Sequence, residues 1–237
     1  MKASTTAHTT RVHAIFSAIA HQYDRLNTVL SWGTDRLWRH QAIRQCRLQP
    51  GDAALDLCCG TGMMIPPLAR GVGSDTFVVG LDFNAEMLKV AHQRLSKHPK
   101  LNYQLVEGNV LSLPFESASF SCVTIAFGLR NIPDIPEALS QIYRVLKPGG
   151  RLVCLELSNP ELPVFKDLYG LYFNHVLPVV GYLGTGNHQA YTYLRDSVKR
   201  FLSKKELLQA FQEAGFQQSF YQSLTGGIAA LHVGRKP

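Results

Sequence analysis

No stretch of the 237-residue chain reaches eighteen uninterrupted apolar residues, so no segment reads as a helix that spans a bilayer. Residues 1–11 are polar and rich in threonine and lack the apolar run of a secretory signal. The five cysteines, Cys46, Cys58, Cys59, Cys122 and Cys154, never stand in Cys-x-x-Cys spacing, which argues against a zinc or dithiol redox centre and for reduced core thiols. Basic residues outnumber acidic ones, 24 to 17, for a net charge of +7, yet no block of five or six like charges marks a nucleic-acid arm. The excess is read as a solvated surface, with attraction to anionic lipid as the sharper alternative. There is no internal repeat and no low-complexity tract. With 46% hydrophobic and 17% charged residues, the composition is that of a globular protein, long enough for one core and a single domain with embellishments. A cytoplasmic protein is expected, with peripheral contact to a membrane face left open.

Four segments follow along the chain. Residues 1–50 read as a helical cap: Val12, Ile15, Phe16, Ile19, Tyr23 and Leu26 recur on one helical face, and after Ser31-Trp32-Gly33 a second helix, capped by Thr34, runs through Trp38 and Ile43. Over 51–157, short apolar runs at 53–57, 77–81, 103–106, 121–127 and 152–157 alternate with helical stretches at 63–70, 85–96 and 135–146. That alternation is the pattern of βαβ units and a doubly wound parallel α/β sheet. Pro148-Gly149-Gly150 reads as the turn feeding the fifth strand. Residues 158–200 form a substrate-side insertion, least regular over 160–190 and expected over the active face, and 201–237 hold a helix over 204–214 and a hairpin around Thr225-Gly226-Gly227 that closes the sheet edge.

The first βα turn carries Leu55-Asp56-Leu57-Cys58-Cys59-Gly60-Thr61-Gly62. Such loops receive nucleosides, because glycine lets the backbone approach a ligand and a helix start offers free N–H groups. A Gly-x-Gly alone is equally a tight turn that binds nothing. Asp82, at the end of the second strand, can accept both hydroxyls of a ribose, which fits NAD as well as S-adenosylmethionine. Ile65 occupies the place of the third glycine and Met63 and Met64 stand where a pyrophosphate would approach, so dinucleotide binding is disfavoured. After the third strand, Gly108-Asn109-Val110 sets a polar side chain for the adenine amine between apolar neighbours.

Taken together with Tyr23-Asp24-x-x-Asn27, Gly80-Leu81-Asp82-Phe83-Asn84, Glu86-Met87-Leu88, Phe127-Gly128-Leu129-Arg130-Asn131, Val145-Leu146-Lys147-Pro148-Gly149-Gly150, Tyr191-x-Tyr193-Leu194-x-x-Ser197 and Ala229-Ala230-Leu231-His232, these motifs resemble the menaquinone and ubiquinone C-methyltransferases over nearly the whole chain. The glycine loop and Lys-Pro-Gly-Gly occur across methyltransferases, whereas Phe-Gly-Leu-Arg-Asn and the late tyrosine motif are specific to the quinone enzymes. Cys58-Cys59-Gly60-Thr61-Gly62 and Val153-Cys154-Leu155-Glu156 look more like the menaquinone enzymes of Gram-positive bacteria. The resemblance implies a Rossmann-like class I methyltransferase fold, a seven-stranded mostly parallel sheet with a C-terminal antiparallel hairpin and an N-terminal helical cap. It implies S-adenosyl-L-methionine as cofactor, held by Asp56, Gly60, Thr61, Gly62, Asp82, Phe83, Asn109 and Val110, and no metal. Met63 and Ala126 depart from the family's acid and serine, which puts a polar contact in doubt at each. The partners it implies are a prenylated hydroquinone, peripheral membrane contact and a homodimer, without nucleic acid. Other prenyl quinols or a small soluble acceptor are the alternatives.

Such a reaction needs a nucleophilic carbon. An oxidised quinone ring is electrophilic, while the reduced quinol, on losing a hydroxyl proton, places negative charge on the adjacent carbon. A phenol has a pKa of about 10, so a base or a positive neighbour must ease its ionisation. Arg130 is the expected phenolate stabiliser, since arginine stays protonated. Asn131 either orients the ring oxygen or caps the helix of Asp134. Asp24, His21, His175 or a water relay supplies the base. Tyr169, Tyr172, Phe173, Tyr191 and Tyr193 frame the isoprenoid tail or belong to the core.

Overall fold

The computed structural model describes the backbone of residues 2–160 and 188–237 and the side chains of residues 10–160 and 192–237. His175, Tyr169, Tyr172 and Phe173 lie outside the described residues, as does the side chain of Tyr191. Three helices, α1 (Lys2–Ile19), α2 (Tyr23–Leu30) and α3 (Thr34–Cys46), precede the first strand. Then follow β1 (Ala54–Leu57), α4 (Ile65–Val72), β2 (Val78–Asp82), α5 (Ala85–Leu95), β3 (Tyr103–Glu107), β4 (Phe120–Ala126), α6 (Ile135–Val145) and β5 (Leu146–Leu157). The chain continues through α7 (His188–Arg200), α8 (Lys204–Glu213), β6 (Gln217–Leu224) and β7 (Ala229–Arg235).

The seven strands are ordered β3-β2-β1-β4-β5-β7-β6. The first five are parallel, and β7 runs antiparallel to both β5 and β6. Helices pack on both faces, so the central strands are buried on both sides, which is why their sequences read as continuous apolar runs rather than as alternation. Leu55 and Leu57 pack with Leu139, Ile142 and Phe211 on one face. Ala54 belongs to the opposite core, with Trp38, Ala42, Leu68 and Val153. Asp56, also on that opposite face by strand alternation, is the polar interruption of β1 and is only 1% exposed. A third cluster, Val12, Ile15, Ile19, Leu26, Tyr193 and Val198, fastens α1 and α2 to α7.

The chain reverses direction of strand addition at β1, between β2 and β4. Crevices for ligands open at the carboxyl ends of strands at such a switch point. Register brings Leu57 level with Leu81 and Ile125, so the loops after β1, β2 and β4 meet at one edge.

Several local expectations are corrected. The apolar stripe from Val12 to Leu26 is broken between Ile19 and Tyr23 rather than running as one helix. Thr34 does not cap α3: its hydroxyl donates to Ser31 O at 2.5 Å, and Ser31 Oγ accepts from Asp35 N at 3.3 Å. The helix expected from 63 begins at Ile65, with proline in its first turn, where a missing N–H costs nothing. Pro148-Gly149-Gly150 is an irregularity within β5 and not a separate turn before it, since Leu146 already pairs with Phe120 before the register shifts.

Candidate active site

At the carboxyl edge of the sheet lies a cavity of about 310 Å³, within the range of small-molecule sites. Its wall joins the turn after β1 (Cys58 to Thr61), the end of β2 (Leu81 to Asn84), Gly108 to Leu111 after β3, and Ala126 to Gly128 with Asn131 after β4. Val12, Phe16, Tyr23 and Arg39 close it from the cap. Of the cofactor residues expected from sequence, Gly60, Thr61, Asp82, Phe83, Asn109 and Val110 all line this cavity, while Asp56 and Gly62 stand behind it.

The β1 turn is held in shape by Asp82. Its Oδ2 accepts from Gly60 N at 2.8 Å and its Oδ1 from Asn84 N at 2.9 Å. Burial raises the Asp82 pKa against the lowering pull of those N–H donors. Gly60 adopts φ +53°, and a Cβ built there meets only Cys58 O, at 4.0 Å, so the space above the turn is open. Asn109 Oδ1 fixes the next turn by accepting from Leu111 N at 2.9 Å. Cys58 and Cys59 have pKa values raised well above the usual thiol range by burial, so neither is a thiolate nucleophile.

Asp56 lies under the β1 turn. Thr124 donates to its Oδ1 at 2.7 Å, while Oδ2 is buried with no partner. Burial pushes its pKa up to about 7, against the lowering effects of Thr124 and Arg39. A buried acceptor without a donor is rare enough to call for one.

The Phe127-Gly128-Leu129-Arg130-Asn131 run has a geometric reason at every position. Phe127 takes a left-handed φ of +62°, which turns the chain off β4. A Cβ on Gly128 would sit 2.4 Å from Cys58 Cβ, so only glycine lets this loop pass the β1 turn. Leu129 is fully buried. Arg130 turns inward, with Nη1 donating to Glu156 Oε2 at 2.7 Å and to Phe127 O at 2.6 Å, in a pair whose side chains are 4% and 1% exposed. Arg130 therefore lines a second, apolar cavity of about 40 Å³ with Tyr23, Leu26, Leu30 and Tyr193, and not the main one. Burial tends to lower its pKa, but Glu156 and the neighbouring tyrosines outweigh that and raise it. Asn131 reaches the main cavity, and its Oδ1 accepts from Tyr193 Oη at 2.9 Å. It does not cap α6; Asp134 does, accepting from Glu137 N at 3.0 Å.

Asp24 is placed outside the wall of both cavities. It is ion-paired with Arg94 and accepts from Thr61 Oγ1 at 2.6 Å, so it ties α2 to the glycine turn. His21 is exposed. Two residues escaped the reading of the sequence. Glu156 was visible as an acid ending an apolar strand, a placement that requires a buried partner. Arg39 sits in a helix of mixed polarity, where nothing in the local pattern sets it apart from Arg36 or Arg44.

The comparisons agree with this geometry. A family model described as the ubiE/COQ5 methyltransferase family matches residues 4–236. Demethylmenaquinone methyltransferases from Staphylococcus aureus strains JH9 and Newman are 44% identical over 226 residues, covering 95% of this chain and 93% of theirs. Among solved structures, a SAM dependent methyltransferase from Aquifex aeolicus superposes with a TM-score of 0.63 at 16% identity, over 84% of this chain and 89% of that one. The [4+2]-cyclase SpnF superposes with a TM-score of 0.65 at 17% identity, over 95% of each. At such identities the likeness is one of fold, and a cyclase among the neighbours warns that fold does not carry function. Near-complete coverage by the family, together with a reason in the structure for each residue of its Phe-Gly-Leu-Arg-Asn run, settles the relationship: the chain belongs to the ubiE/COQ5 methyltransferase family.

Proposed function

We propose that the protein methylates a ring carbon of a reduced demethylmenaquinone, with S-adenosylmethionine as donor. The observation that carries this reading is a single cavity lined by Asp82 and Asn109 together with the aromatic rings of Phe16 and Tyr23 and the amide of Asn131, in a chain 44% identical to demethylmenaquinone methyltransferases. The residues fit the cofactor. The unpartnered Asp56 Oδ2 suits its ammonium, and the open face of Gly60 admits its backbone. Bound there, it supplies an electrophilic methyl on a positive sulfonium.

Asp82 offers its carboxylate to the ribose hydroxyls, Val110 and Phe83 cover the adenine, and Asn109 keeps a lone pair for the exocyclic amine. Thr61 and Gly62 act through the turn they shape. On the acceptor side, Asn131 has Oδ1 committed to Tyr193, and its amide holds Phe127 O only at 3.5 Å, so its N–H is free to orient a quinol oxygen. Arg130 contributes a fixed positive charge beside Tyr23, and its Nε is buried without a hydrogen-bond partner. Asp82 is the only carboxylate on the main cavity wall among the described residues. The quinol proton therefore leaves through water, and Asp24 positions the glycine turn rather than acting as base.

A polyprenyl quinol resides in a bilayer, and among the described residues no helix is long and apolar enough to cross one. A peripheral docking surface fits the corner between α2 and α3, where Val29, Trp32 and Leu37 are 51%, 84% and 63% exposed. Arg25, Arg36 and His40 are exposed around it, and the two acids of the segment are withdrawn, Asp24 into its ion pair and Asp35 into the interior. Aromatic anchors with basic neighbours suit an anionic membrane face. Location at the inner face of the membrane, with one face of α2 lining the smaller cavity along its whole length, accords with this use.

The test is turnover of demethylmenaquinol against its oxidised quinone, each with S-adenosylmethionine. Methylation of the quinol alone is expected. Equal methylation of the oxidised form, or preference for a water-soluble acceptor, overturns the reading.

A further inference from the structure

Arg39, on the second turn of α3, is the one Lys or Arg on the wall of the main cavity among the described residues. Its guanidinium lies over the Phe127 ring, 4.9 Å from the centroid. That ring follows β4, whereas Asp82 and Asn109 follow β2 and β3, on the other side of β1. The cavity is therefore polarised along the sheet: a carboxylate stands at the nucleoside end, and a cation at the end where Asp56 lies beneath the turn. The cation is also incompletely partnered. Asp35 Oδ2 is 3.8 Å from Arg39 Nε, beyond hydrogen-bond reach, and Asp35 Oδ1 accepts from Ser31 Oγ at 3.0 Å. Arg39 Nε is buried with no hydrogen-bond partner, although the side chain is only 12% exposed. Guanidinium donors held in a buried site are matched to a planar anion.

We infer that Arg39 and the buried face of Asp56 form a zwitterion subsite, in which Arg39 binds the carboxylate of the amino-acid end of the cofactor while Asp56 receives its ammonium. The inference rests on the S-adenosylmethionine reading above and names the residue that anchors its far end. The cationic half of the subsite is supplied by the cap helix α3 and the anionic half by β1, so the cap is part of the cofactor site as well as of the acceptor site. The ring of Phe127 keeps the guanidinium from swinging out to solvent, since a cation over an aromatic face is held there by the ring quadrupole.

The discriminating probe is a pair of ligands differing only in the carboxylate: S-adenosylhomocysteine and its decarboxylated analogue, S-adenosyl-3-thiopropylamine. Their affinities are measured by calorimetry on the full chain and on Arg39→Met, which keeps apolar bulk over Phe127, and Arg39→Lys, with melting temperature as the fold control. Arg39→Met is expected to weaken S-adenosylhomocysteine by roughly tenfold to a hundredfold, as befits loss of a charged hydrogen bond, and to leave the amine analogue within about twofold. Arg39→Lys is expected to recover part of the loss. Equal weakening of both ligands makes Arg39 merely structural, and unchanged affinity with lost turnover moves it to the acceptor; either overturns the inference and leaves the cofactor reading standing. Failure of the unaltered protein to bind both ligands removes the cofactor reading and this inference with it.

Discussion

The buried pair between Arg130 and Glu156 gives a sharp quantitative test of how the family's Phe-Gly-Leu-Arg-Asn run is supported. Glu156→Ala leaves a guanidinium 4% exposed with Phe127 O as its remaining acceptor, and also strips the acceptor from Arg130 N, 3.2 Å away, and Leu157 N, 3.0 Å away. Breaking a buried pair from one side costs about 3–5 kcal/mol. In a chain of this size that corresponds to a fall of roughly 6–20 °C in melting temperature. Removing both partners, as Arg130→Met with Glu156→Leu, leaves no uncompensated charge, so the double variant should be more stable than Glu156→Ala by about 2 kcal/mol or more. Urea unfolding of Arg130→Met, Glu156→Leu and the double variant closes the cycle. Additive losses of less than about 1 kcal/mol each would mean that the pair is solvated in solution and that Arg130 is free to serve the acceptor directly.

Other consequences follow from the same geometry. Asp82→Ala, by deleting the acceptor for both ribose hydroxyls, should raise the Kd of S-adenosylhomocysteine by about 100-fold or more; calorimetry reading less than about tenfold would move the ribose elsewhere. Asp56 holds its proton up to about pH 7 in the free protein, well above its ordinary 3.8. An ammonium beside it favours the ionised form, so cofactor binding should release roughly half a proton at pH 7 and affinity should rise with pH through that window. Calorimetry in two buffers of unlike ionisation enthalpy measures this, and proton uptake contradicts it. Gly128→Ala places a Cβ 2.4 Å from Cys58 Cβ and should destabilise by about 1–3 kcal/mol, with Cys58→Gly restoring much of the loss in thermal melts; absence of rescue would locate the clash elsewhere.

Much of the architecture is legible in the sequence because parallel strands buried on both faces leave continuous apolar runs, and those before Cys58 and up to Asp82 carry ligand-facing residues directly after them. Gly60, Asp82 and Asn109 are legible for the same reason: each follows a strand end, where the fold type puts ligands whatever the side chains elsewhere. What is not legible depends on contacts distant in the chain. Thr61 meets Asp24 across 37 residues, and Arg130 meets Glu156 across 26. Asn84 caps α5 while its amide holds Ser17 Oγ and His13 O of α1. The break in the N-terminal apolar stripe is likewise tertiary: Ile19 and Leu26 reach the same cluster with Tyr193 only if the chain turns between them. Arg39 is invisible from its neighbours in sequence because its role is set by Phe127, which lies on another element.

The central claim is that an ionised quinol carbon receives the methyl group within the cavity bounded by Asp82, Phe127 and Asn131. Its most direct test is incubation of the protein with demethylmenaquinol and S-adenosylmethionine isotopically labelled in the methyl group, followed by nuclear magnetic resonance of the product. The account predicts the label on the ring carbon next to a hydroxyl-bearing carbon; label on a quinol oxygen, or none in the quinol, would contradict it.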